Sequence, residues 1–113
     1  MINVTVWRGR DKAPVRLLVK GHAGQGPYGS DIVCAAASAL VETLLLGIRH
    51  ITPIAVRIDA NQEGLVDLTF PAGMDAAPRA VIDTILYGLQ DLSHTAPKAV
   101  GWHDFKVSED GEV

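Results

Sequence analysis

Apolar and polar side chains take turns through "INVTVWR" (residues 2–8), the period-two pattern of a strand with one face buried, and the run ends at Gly9. "PVRLLVKGHA" (14–23) reads as a second strand that runs into His22, and "GRDKA" between the two is short enough to close a hairpin. A glycine-rich loop follows. Ser30 or Asp31 then offers an N-cap for a long helix through Gly47, rich in Ala and Leu and apolar almost all round. "IAVRIDA" and "GLVDLTF" flank "NQE" and predict a second hairpin with polar turn chemistry. Asp75 can cap a second helix with Pro78 in its first turn, where Ile82, Ile85, Leu86, Leu89 and Leu92 recur at helical spacing. In the last strand, "AVGWHDFKV" (99–107), the apolar positions 100, 102, 105 and 107 change phase, which predicts a slip or bulge near His103. The acidic "SEDGEV" (108–113) reads as a disordered tail. The order is ββαββαβ, an α+β class with a mainly antiparallel sheet and two helices.

A chain of 113 residues holds one core and is too short for two ordinary domains, so the expectation is a single domain over 1–113. With 48% hydrophobic and 20% charged residues, the composition is that of a folded chain and not a disordered one. The longest apolar run, "IVCAAASALV" and then "TLLLGI", is interrupted by Glu42, which weakens it as a membrane span. "MINVTVWRGR" shows neither an apolar segment behind a basic cap nor a small-residue cleavage site, so a cytoplasmic location is expected. The single cysteine, Cys34, cannot form an intramolecular disulfide, which also fits a reducing compartment. A formal charge of −3 with scattered Lys and Arg leaves no basic footprint and disfavours nucleic acid as a direct partner.

The chemistry concentrates in "GHAGQGPYGSDIVC" (21–34). Taken literally, "GQGPYG" (24–29) matches G-x-G-x-x-G between a strand and a helix, the arrangement of a dinucleotide-binding turn. Two features oppose that reading. Pro27 removes one of the N–H donors a pyrophosphate needs, and the helix cap comes only at Ser30. Where an acidic ribose ligand is expected downstream, the chain has Arg49 and His50. The glycines, Gly24 and Gly26 among them, more simply give a loop able to open for a ligand and close over it, with Tyr28 as a lid contact or hinge anchor.

A nucleophile is the better reading. At 100° per residue, Asp31, Cys34, Ser38 and Glu42 fall within an arc of about 80° on the first helix, so the only cysteine shares a stripe with the helix's few polar side chains. A helix start favours a thiolate, but by only about 0.3–1 kcal/mol, less than one pKa unit. A neighbouring imidazolium has to supply the rest, and His22 is the candidate for a Cys–His dyad. Strand end, loop and helix start normally fold back on one another, leaving both side chains at one sheet edge. Asp31 either orients the imidazole or caps the helix, and Ser38 either bonds back to the helix backbone or belongs to the site. His50, His94 and His103 lack metal-ligand spacing, so no metal is expected.

"GHA" (21–23), a glycine-containing loop ending in Gly29, and "DIVCAAASAL" (31–40) together resemble the signature of the ribosomal-processing cysteine proteases, the Prp family. The similarity runs over nearly the whole chain, including a second helix with "LYGLQDL" and a proline after it. The resemblance implies a cytoplasmic cysteine endopeptidase that removes a short N-terminal extension from a large-subunit ribosomal protein of the bL27 family. It also implies a homodimer, and neither metal nor organic cofactor. Cys34 then takes the nucleophile's position and His22 its partner's, while Gly21, Gly29, Asp31 and Ser38 fall on signature positions with supporting roles. The loop between histidine and cysteine would reorganise to admit the peptide. It departs from the family in its additional Gly-x-Gly and its proline. Two other classes compete: a ribosome-associated binding module with a structural cysteine, and a redox-sensing thiol, which lacks a resolving cysteine in the same chain.

Overall fold

A computed structural model of the protein describes residues 1–22 and 30–107. The glycine-rich loop and the acidic tail of the sequence reading lie outside the described residues. The elements follow the expected order: β1 (Ile2–Arg8), a 3-10 turn (Arg10–Lys12), β2 (Pro14–Lys20), α1 (Ser30–His50), β3 (Arg57–Gln62), β4 (Leu65–Thr69), α2 (Ala76–Thr95) and β5 (Val100–Lys106). The strands form one sheet in the order β3-β4-β2-β1-β5. The pairs β1–β2, β2–β4 and β3–β4 are antiparallel, and β1–β5 is parallel because the chain crosses over through α2 before adding its last strand.

Alternation in the strands and helical spacing in α1 and α2 converge on one core. Val4, Val6, Leu17, Val19 and Leu68 meet Ala37, Val41, Leu44 and Ile48 of α1 and Ile82, Ile85, Leu86 and Leu89 of α2. The sheet's outer face carries a different set. Trp7 packs on Phe105 with ring centroids 6.2 Å apart, and the Arg16 guanidinium lies 4.7 Å over the Trp7 ring. Arg16 also donates to both carboxylate oxygens of Asp67, at 2.9 and 2.7 Å, joining β2 to β4. That pair holds the Asp67 carboxyl below the usual carboxylate range, chiefly through the hydrogen bond and then through charge.

From Ile32 to His50, α1 is long and apolar enough to cross a membrane by length and composition. Here Ala37, Val41, Leu44 and Ile48, spaced four, three and four apart, face the core, while Ile32 and Leu46 remain 68% and 54% exposed.

Several boundaries differ from the sequence reading. Helix α1 continues past Gly47 to His50, and the Gly47 carbonyl then accepts the N–H groups of Ile51 and Thr52 at 2.9 and 3.2 Å. Asp75 does occupy the N-cap of α2, but its side chain makes no capping hydrogen bond. No bulge occurs at His103: β5 pairs with β1 without interruption from Ile2↔Val100 to Arg8↔Lys106. The change of phase has another cause. Asp104 accepts Arg8 Nε on both oxygens at 3.1 Å at the sheet's rim, and Phe105 turns to the outer face to meet Trp7. The irregularities lie instead at Trp7/Arg8 and at Ile58/Ala60.

Candidate active site

Strand β2 ends by delivering Gly21 and His22 to the edge of the helical layer. Gly21 has φ +110°, and the Met1 carbonyl oxygen lies so close to its α-carbon that a side chain there would strike backbone. Hydrogen bonds pin both sides of the histidine. The Gly21 N–H donates to the Gly64 carbonyl at 2.9 Å, and the Met1 nitrogen donates to the His22 carbonyl at 2.9 Å.

Cys34 is the fifth residue of α1, one or two positions further into the helix than a cap at Ser30 or Asp31 would place it, so the N–H groups of the first turn lie N-terminal to it. It is half-buried, packed against the core on one side. Its other side faces a cavity of about 660 Å³ between α1 and the β3–β4 hairpin. His22 lines the same cavity, as do Ser38 and Glu42, so Cys34, Ser38 and Glu42 of the polar stripe belong to one wall of a cleft that His22 also lines. The hydroxyls that bond back to the carbonyl four residues earlier are those of Thr43 and Thr84, at 2.7 and 2.6 Å; Ser38 makes no such bond among the described residues.

The opposite wall is Asn61, Gln62, Glu63 and Gly64, which the sequence reading takes only as a turn and its approach. The signal was present in "NQEG": a polar, glycine-ended turn on the strand that pairs beside β2. Glu42 and Glu63 face the cavity, and neither Lys nor Arg does among the described residues. Gly24, Gly26, Tyr28 and Gly29 lie outside the described residues, as does the side chain of Asp31. Among the described residues no three His, Cys, Asp or Glu side chains come together in a metal-binding group. His103 instead faces Asn3 Oδ1 at 3.1 Å.

A cleft lined by both a thiol and an imidazole is suited to nucleophilic attack on a carbonyl. The model of the cysteine protease Prp family matches residues 1–101. The chain belongs to that family, and it is a cysteine protease. Among Prp relatives, the ribosomal processing cysteine protease Prp of Bacillus subtilis (strain 168) is 26% identical over 90 residues, 79% of this chain and 80% of that one. The fold is also that of an essential ribosomal processing protease Prp from S. aureus in complex with a substrate peptide. There the TM-score is 0.83 at 24% identity, over 92% of this chain and 99% of that one. A second S. aureus Prp structure, with a covalently linked product peptide, gives a TM-score of 0.82 at 24% identity over the same shares. SMU.848 from Streptococcus mutans gives 0.80 at 25% identity, over 95% of this chain and 96% of that one.

Proposed function

We propose that this Prp protease is a cytoplasmic endopeptidase that removes a short N-terminal extension from a large-subunit ribosomal protein of the bL27 family, with Cys34 as nucleophile and His22 as its proton carrier. One observation carries the residue assignment: the chain's only cysteine lines the same cavity as His22. The processing role is supported by the Bacillus and S. aureus relatives, both of them ribosomal processing proteases.

In the first half-reaction His22 takes the thiol proton and Cys34 Sγ attacks the scissile carbonyl carbon. The C–N bond breaks as His22 returns the proton to the leaving amine, which departs as the new N-terminus of the mature protein. Water, deprotonated by His22, then cleaves the thioester and releases the extension with a free carboxylate. Backbone N–H groups at the start of α1 are the candidate donors to the oxyanion. Two copies pairing through α1 would cover the exposed Ile32 and Leu46, in line with a homodimer.

The test is cleavage of a peptide spanning the extension, followed by mass spectrometry. Wild type makes one cut, Cys34→Ala makes none, and His22→Ala is slowed by about 10²–10⁴-fold. An unchanged cut by Cys34→Ala, with the variant folded by circular dichroism, refutes the mechanism. No cut by wild type refutes the substrate.

A further inference from the structure

We infer that Gly64, in the turn between β3 and β4, is a positioning residue for the His22 imidazole; the inference rests on His22 acting as the proton carrier. Gly64 has φ +80°. A β-carbon at this position would lie 2.8 Å from His22 Cε1 and 3.2 Å from Cδ2, and nearer still to Nε2. The tip of the ring therefore occupies the volume that a side chain at position 64 would fill. His22 is otherwise an exposed residue at a strand end, free to choose among staggered rotamers, and the flat backbone of Gly64 is the surface against which one of them rests.

The same residue also holds the backbone under the ring. Its carbonyl accepts the Gly21 N–H at 2.9 Å, so wall and imidazole shift together when the hairpin moves. The register Lys20↔Leu65 brings the turn to this place. A side chain at 64 meets the far end of a rotatable group and not the core. The ring swings away, the fold stays, and the proton carrier leaves its place.

The sequence supplies its own control. Gly73 has φ +70°, and nothing lies within 4 Å of a β-carbon there. Gly73→Ala incurs the same left-handed backbone strain as Gly64→Ala without touching the histidine. The experiment compares wild type, Gly64→Ala, Gly73→Ala and His22→Ala in three readouts: kcat and KM on the extension peptide, the rate of Cys34 alkylation by iodoacetamide from pH 5 to 9, and Tm. Gly64→Ala loses about 10²-fold in kcat with KM within about twofold, and its alkylation profile moves to that of His22→Ala. Gly73→Ala keeps the wild-type kcat and profile while losing as much Tm as Gly64→Ala. Gly64→Asn, whose side chain tolerates the left-handed region, brings the same β-carbon to the ring in a fold under less strain and shows the same loss. Wild-type kcat and profile in Gly64→Ala or Gly64→Asn, with His22→Ala slowed as expected, overturn the positioning role. A fully active His22→Ala overturns the assignment of His22 itself.

Discussion

Asp67→Asn tests how much the outer face of the sheet contributes to holding β2 against β4, the two strands whose ends reach the cleft. In the native protein Asp67 accepts two N–H groups of Arg16, at 2.9 and 2.7 Å, with side chains 17% and 31% exposed. Hydrogen bonds to charged groups contribute about 1.5–3 kcal/mol, and exposed ion pairs about 0–1. Asn keeps one weaker acceptor and Arg16 keeps its stacking on Trp7, so the cost at pH 7 is about 1.5 kcal/mol. Unfolding entropy near 2.1 cal/mol/K per residue makes that about 6 °C in Tm for a chain of this length.

The pH dependence is the sharper readout. Arg16 holds the Asp67 carboxyl in the folded protein below its ordinary value, so the pair's stabilisation is complete above the unfolded carboxyl's pKa of about 3.9 and drains away as pH falls through the folded value. Thermal melts of both proteins at pH 7, 5, 4, 3 and 2.5 measure the difference, and the other carboxylates cancel in the subtraction. The gap is constant from pH 7 to 5, narrows below 4 and closes at the acid end. A gap of the same size at pH 7 and pH 2.5 refutes the charge-assisted pairing, and so does no gap at pH 7.

Leu44 is fully buried, and Leu44→Ala lowers stability by about 2–5 kcal/mol, read as a Tm drop of about 8–20 °C. Phe105→Ala removes the ring against Trp7 and costs about 0.5–1.5 kcal/mol beyond the lost area, while Trp7 fluorescence shifts to the red. Glu42 stands eight residues beyond Cys34, about 12 Å along the helix, which spans three or four residues of an extended peptide. Glu42→Gln, which removes a carboxylate facing the cavity, therefore raises KM about two- to fivefold for peptides with Lys at that distance from the scissile bond, with kcat unchanged and no effect on the Lys→Ala peptide.

Most of the fold was legible because burial imposes periods that the chain must obey. Ile82, Ile85, Leu86, Leu89 and Leu92 form one helical stripe in the sequence; the first four are in the core and Leu92 packs against it. Periodicity says nothing about what a strand pairs with, so the parallel partnership of β5 with β1 was not visible. It also misled at His103. A polar residue on the core-side phase looks like a slipped register, whereas at the rim Asp104 simply meets Arg8. The end of α1 lies three residues beyond the expected Gly47, because Ile48 still packs into the core.

The site divides along the same line. His22, Cys34 and Ser38 lie within seventeen residues, and local rules suffice to group them, since a strand end, a return and a 3.6-residue period put all three on one cleft. Gly64 is 42 positions from His22, and no local rule connects them. What connects them is the register Val19↔Val66 and Lys20↔Leu65, fixed by which residues of β2 and β4 the core accepts. A slip of one residue would reverse the faces of β4 and take the turn away from Gly21. The chemistry of the cleft is therefore local, while the orientation of its imidazole is inherited from the sheet. With Gly64 in the positioning role inferred above, substitutions that shift the register of β4 are expected to alter catalysis even though β3 and β4 hold neither the thiol nor the ring.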